Sequence, residues 1–148
     1  MSDMQYGPRR PSYYGAYENT AQSRAALTEE AACGLAEQYD VSCLSRNEYS
    51  LLLCSLRNAG FITTQEFSAG YGGTLPRSAA VEPPEPFPLG DNKADFTVLL
   101  EQYAQYCGEV RRLVRNGPER VHTKSLLTTY SRLYTLFSQI HDAASGAE

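Results

Sequence analysis

FTVLLEQYAQYCGEVRRLVRNGPERVHTKSLLTTYSRLYTLFSQI, residues 96–140, carries the pattern that decides the fold. Phe96, Leu100, Tyr103, Cys107, Val110 and Val114 recur at spacings of four and three, and Leu126, Tyr130, Leu133, Phe137 and Ile140 do the same. Side chains at that period share one face of an α-helix, so each run predicts an amphipathic helix. Asn116-Gly117-Pro118 divides the runs. Glycine can end the first helix in a left-handed conformation, and proline can open the second where its missing N–H costs nothing. The expectation is an all-α fold whose C-terminal part, residues 92–144, is a long antiparallel helical hairpin.

These helices carry more apolar surface than one seam consumes. Leu99, Tyr106 and Leu113 lie off the first stripe, as does Val98, and Leu127, Tyr134 and Leu136 lie off the second. A lone hairpin would leave them in water, so something must cover them: the N-terminal helices, a second copy of the chain or another protein. Leu99, Tyr106, Leu113, Leu127, Tyr134 and Leu136 are therefore the candidate apolar interface.

Upstream, residues 27–67 predict an acidic unit of three short helices. Thr28 before Glu29 and Glu30 is a helix start, since the hydroxyl accepts an orphan N–H and the acids face the positive end of the helix dipole. Leu44-Ser45-Arg46-Asn47-Glu48-Tyr49 and Ile62-Thr63-Thr64-Gln65-Glu66-Phe67 each pair a capping box with a hydrophobic staple. Between them Tyr49, Leu52, Leu53 and Leu56 form a stripe, and Gly60 predicts a stop near Ala59. Residues 68–91 hold Gly70, Gly72, Gly73 and then Pro76, Pro83, Pro84, Pro86 and Pro88, which predicts an extended connector. Residues 1–26 read as a flexible arm rich in Tyr, Pro and Gly, and residues 145–148 as a tail.

Net charge is −4 over 148 residues, which disfavours a general affinity for nucleic acid or an anionic membrane. Charge is divided unevenly. Arg111, Arg112, Arg115, Arg120 and Lys124 cluster with His122 around the predicted turn, whereas Glu29, Glu30, Glu37, Asp40, Glu48 and Glu66 outweigh Arg46 and Arg57 in the N-terminal unit. Arg111, Arg112, Arg115, Arg120 and Lys124 are the candidate contact for an anion or an acidic partner. Cys33, Cys43, Cys54 and Cys107 form no C-x-x-C pair, and residues 1–15 lack the apolar core of a signal peptide, so a cytoplasmic setting is expected. No apolar run has the length of a membrane span, and no membrane role is expected.

Catalytic signals are poor. His122 and His141 have no nearby metal-ligand partner or triad, and no phosphate loop, dinucleotide fingerprint or calcium loop is present. Gly70-Tyr71-Gly72-Gly73 follows a short helix and lacks a downstream lysine, which suits a phosphate cradle badly. No catalytic residue, metal or cofactor is expected.

Leu52 to Phe67, LLCSLRNAGFITTQEF, resembles the short helix–turn–helix of bacterial SHOCT-type segments, in which a leucine-bearing helix ends at glycine and an Ile-Thr step opens a short helix with Glu-Phe. The resemblance covers about a tenth of the chain and implies a bacterial interaction module without catalytic residues. The expected function is thus protein–protein interaction or assembly, with a homo-oligomer or a different protein as partner. Binding of an anionic ligand or nucleic acid at the arginine-rich turn is the alternative, and an enzyme of unrecognised class comes third.

Overall fold

The computed structural model describes residues 25–114 and 117–146. The arm expected over residues 1–26 falls, up to residue 24, outside them, as do Arg115, Asn116 and the last two residues of the tail. The described chain is mostly helical. Its elements are α1 (Glu29–Gln38), β1 (Leu44–Ser45), α2 (Arg46–Asn58), α3 (Thr64–Gly72), β2 (Lys93–Ala94), α4 (Phe96–Leu113) and α5 (Pro118–Gly146).

Helix starts are local decisions. The Thr28 hydroxyl accepts the Ala31 N–H at 3.1 Å and opens α1. Ser45 and Thr63 each accept the N–H three residues on, while Glu48 and Glu66 reach back to the cap's own N–H, so both capping boxes are closed. Asp95 caps α4 by accepting the Thr97 and Val98 N–H groups. Gly60, at φ 86°, stops α2 two residues after Asn58.

A single core joins every element. Tyr49 of α2 stacks on Phe96 of α4 at 4.3 Å, meets Phe87 edge-on at 5.1 Å and lies 5.8 Å from Phe137 of α5. Tyr103 of α4 meets Tyr130 of α5 edge-on at 5.3 Å, and Leu127 lies beside Gly108. The two apolar stripes read from the sequence are buried from Phe96 to Val110 and from Leu126 to Ile140. Helices α1 and α3 also pack on α5. Arg132 of α5 ties this side together, donating to the Ala25 carbonyl at 3.0 Å and the Phe61 carbonyl at 3.1 Å.

Three features depart from the sequence reading. First, β1 and β2 pair antiparallel, Leu44 opposite Ala94 and Ser45 opposite Lys93, a two-residue ladder too short to leave an alternating pattern. Second, α3 runs on through Gly70 to Gly72, where the sequence suggested a lapse into connector. Gly70 is needed inside the helix: a Cβ there would sit 2.5 Å from Leu133 Cδ1, so glycine alone lets α3 approach α5. The helix ends at Gly73, whose φ of 62° is left-handed and whose missing Cβ leaves room for the Phe87 ring. Third, residues 73–92 contain no helix or strand, yet the segment is no free spacer, because Phe87 is buried in the core at 5% exposure.

Gly70→Ala should destabilise the protein by about 1–3 kcal/mol, the usual cost of overpacking a filled interior. Gly34→Ala, in α1 with nothing within 4 Å of the new methyl, should instead stabilise it by about 0.5–1 kcal/mol through helix propensity. Urea denaturation of the two variants checks the contrast; equal effects of one sign would contradict the packing described.

Candidate functional site

Helix α4 ends with the Val114 N–H on the Val110 carbonyl at 3.0 Å, and the last carbonyls of any helix have no partner within the helix itself. Arg120, one turn into α5, supplies one. Its Nη1 donates to the Val114 carbonyl at 2.8 Å and to the Arg111 carbonyl at 3.2 Å. Gly117, at φ 88°, accepts from the Arg120 and Val121 N–H groups and so opens α5. That differs from the sequence reading, in which Gly117 closed the first helix; the Arg120 guanidinium performs that service.

The arginine cluster is thereby divided. Arg120 is spent on backbone carbonyls, and Arg111 is half-buried with its Nε enclosed and without a hydrogen-bond partner. Arg112 and Lys124 reach solvent, as does His122. Arg115 lies outside the described residues. Two apolar side chains are exposed at the same end of the molecule, Leu113 at 55% and Val121 at 70%.

The candidate apolar interface is largely consumed inside the monomer. Leu99, Tyr106 and Leu136 are buried, and Leu127 and Tyr134 are partly buried against the core. The covering comes from within: α1 and α3 lie on α5, and residues 76–85 lie along α4, where the Tyr106 hydroxyl donates to the Pro76 carbonyl at 2.8 Å. Only Leu113 of the six remains exposed. Val121 was missed because it precedes the second stripe and has no periodic signal of its own.

A groove of about 200 Å³ between the start of α4 and the end of α5 gathers Glu101, Tyr134, His141 and Asp142. His141 Nδ1 lies 4.0 Å from Asp142 Oδ1, and the two side chains are 49% and 85% exposed. General-base catalysis needs an imidazole oriented by a hydrogen bond, and this pair of sequence neighbours is too open and too distant to supply one. Among the described residues no group of three His, Cys, Asp or Glu side chains is placed to hold a metal ion. No described helix is long and apolar enough to cross a membrane.

The interior holds weak acids that stay protonated. Burial pushes Tyr103 and Cys107 up to about 12, and pushes Tyr49 and Tyr130 above the ordinary tyrosine range. Each tyrosine hydroxyl donates to a backbone carbonyl: Tyr49 to Gly70 at 2.9 Å, Tyr103 to Glu85 at 3.0 Å and Tyr130 to Thr74 at 2.9 Å. They act as anchors, and a Cys107 thiol with so high a pKa is a poor nucleophile.

Comparison of the chain with family models, curated proteins and solved structures finds no match. The functional reading therefore rests on the geometry above.

Because Tyr49, Tyr103, Tyr130 and Cys107 hold their protons more tightly folded than unfolded, the unfolded chain loses protons first as pH rises. Stability contributed by these groups is complete below their ordinary values of 9 to 10 and is lost as pH climbs through the raised folded values, about 12 for Tyr103 and Cys107. Urea midpoints should fall steadily between pH 9 and pH 12, with tyrosinate absorbance at 295 nm from the buried rings appearing only with unfolding. A flat midpoint across that window would refute the assignment.

Proposed function

We propose that this chain is a non-catalytic protein–protein interaction module, with α4 and α5 read as an antiparallel hairpin that presents its turn end to an acidic protein partner. One observation carries the reading. Leu113 and Val121 are exposed beside Arg112 and Lys124 in sequence, and they join Leu51, Tyr71, Leu89 and Val98 as the large apolar side chains left in solvent among the described residues. Apolar side chains among Arg112 and Lys124, with Glu109 and Glu119 also exposed nearby in sequence, suit a partner with apolar anchors and carboxylates placed to meet the two cations: burial supplies affinity, and charge supplies orientation and association rate.

The engagement of Arg120 favours this over a small anionic ligand, because its guanidinium is held on the Arg111 and Val114 carbonyls. The likeness of Leu52–Phe67 to bacterial SHOCT-type segments agrees with an interaction module. All four cysteines are free thiols, which agrees with a cytoplasmic setting.

A photo-crosslinking amino acid at Val121, introduced in cells, should yield a discrete protein adduct, whereas the same group at Glu37 on α1 should not. Arg112→Glu combined with Lys124→Glu should reduce that adduct about fivefold to tenfold, the worth of two rim charges, without changing thermal stability. An absent adduct at Val121, or one indifferent to charge reversal, would overturn the proposal; its mass separates a second copy from a different protein.

A further inference from the structure

The segment between α3 and β2 lies on aromatic side chains in the manner of a bound peptide. It has no ladder or helix of its own, and Pro83, Pro84, Pro86 and Pro88 restrict its backbone and remove donors. What remains to recognise is carbonyl oxygens and one large side chain. Tyr106 and Tyr103 take the Pro76 and Glu85 carbonyls at 2.8 and 3.0 Å. Phe87 enters the core, stacked on Tyr103 at 4.9 Å and edge-on to Phe96 at 5.2 Å. Tyrosine hydroxyls on carbonyls, with rings flanking prolines, is how aromatic grooves read proline-rich ligands.

The fit is imperfect in one respect. Glu82 and Glu85 of the segment share a groove of about 490 Å³ with Glu109 of α4, and its other helical walls, Gln102, Gln105 and Tyr106, carry no positive charge. The resident segment therefore brings two carboxylates toward a third.

We infer that this tyrosine-lined face of α4 is a recognition groove for an extended, proline-flanked phenylalanine segment. Residues 76–88 fill it in cis, and a partner protein's segment of the same kind, with cations where this chain has Glu82 and Glu85, displaces them. The groove is a second binding surface, separate from the turn end, and it is held closed by the chain's own sequence. The inference does not depend on the function proposed for that end.

The probe is a fluorescein-labelled peptide, PRSAAVEPPEPFP (residues 76–88), carrying Glu82→Lys and Glu85→Lys, titrated with the full chain and followed by anisotropy. Phe87→Ala in the protein removes the anchor of the resident segment and should tighten peptide binding at least tenfold over the native chain. Pro83→Gly with Pro86→Gly loosens the segment without altering the groove; it should tighten binding by a smaller factor and decides the matter if Phe87→Ala does not fold by circular dichroism. A peptide with Phe87→Ala should not bind, and the unsubstituted peptide should bind more weakly than the lysine form. Absence of binding to every folded variant, or equal binding of the peptide lacking phenylalanine, would overturn the inference.

Discussion

Tyr49 sits where five parts of the chain meet. Its ring is fully enclosed, stacked on Phe96 and flanked by Phe87 and Phe137, and its hydroxyl finds the Gly70 carbonyl. A buried phenol without a partner would cost on the order of 1–3 kcal/mol, so the hydroxyl dictates where the α3 backbone lies. That backbone can come within reach because Gly70 has no side chain to strike Leu133. The same hydroxyl–carbonyl device recurs at Tyr103, Tyr106 and Tyr130, and each instance pins backbone from the stretch 69–85 to a helix. The N-terminal helices, the proline-rich segment and the two long helices thus share one core.

Arginine does for helix ends what tyrosine does for the interior. Arg46 donates to the Tyr71 carbonyl at 2.7 Å while its guanidinium lies 5.3 Å from the Phe87 ring centre. Arg120 takes the closing carbonyls of α4, and Arg132 joins the start of the described chain to the turn before α3. A planar guanidinium with several fixed donors can serve two carbonyls at once, which lysine cannot do with the same geometry. Of the cations that look, in sequence, like a ligand surface, Arg120 is therefore structural. Arg112 and Lys124 stay exposed near the junction of α4 and α5, as do Leu113 and Val121.

The fate of the surplus apolar surface links fold to function. Leu99, Tyr106 and Leu136 had two possible destinations, a partner or the protein's own remaining segments, and amphipathic pattern alone treats these alike. Intramolecular cover wins because the proline-rich segment is long enough to reach along α4 and carries Phe87 as an anchor; burying such a ring contributes about 1.5–3 kcal/mol. That cover is made of extended backbone held by a few hydroxyls, a kind of contact that another chain of similar composition can imitate.

The sequence by itself determined the features that arise within a few residues: the helical period of Phe96–Val114 and Leu126–Ile140, the capping boxes at Ser45 and Thr63, the stop at Gly60 and the opening proline of α5. Each depends on contacts between neighbours in the chain, so the residue types and their spacing carry the whole cause. Only the tertiary structure decided that Phe87 belongs to the core, that α3 continues through Gly70, that Arg120 and Arg132 serve backbone carbonyls, and that Leu113 and Val121 stay exposed. Those outcomes depend on residues tens of positions apart being brought together, and composition and period do not encode which partner a buried hydroxyl, a guanidinium or a surplus apolar face will meet.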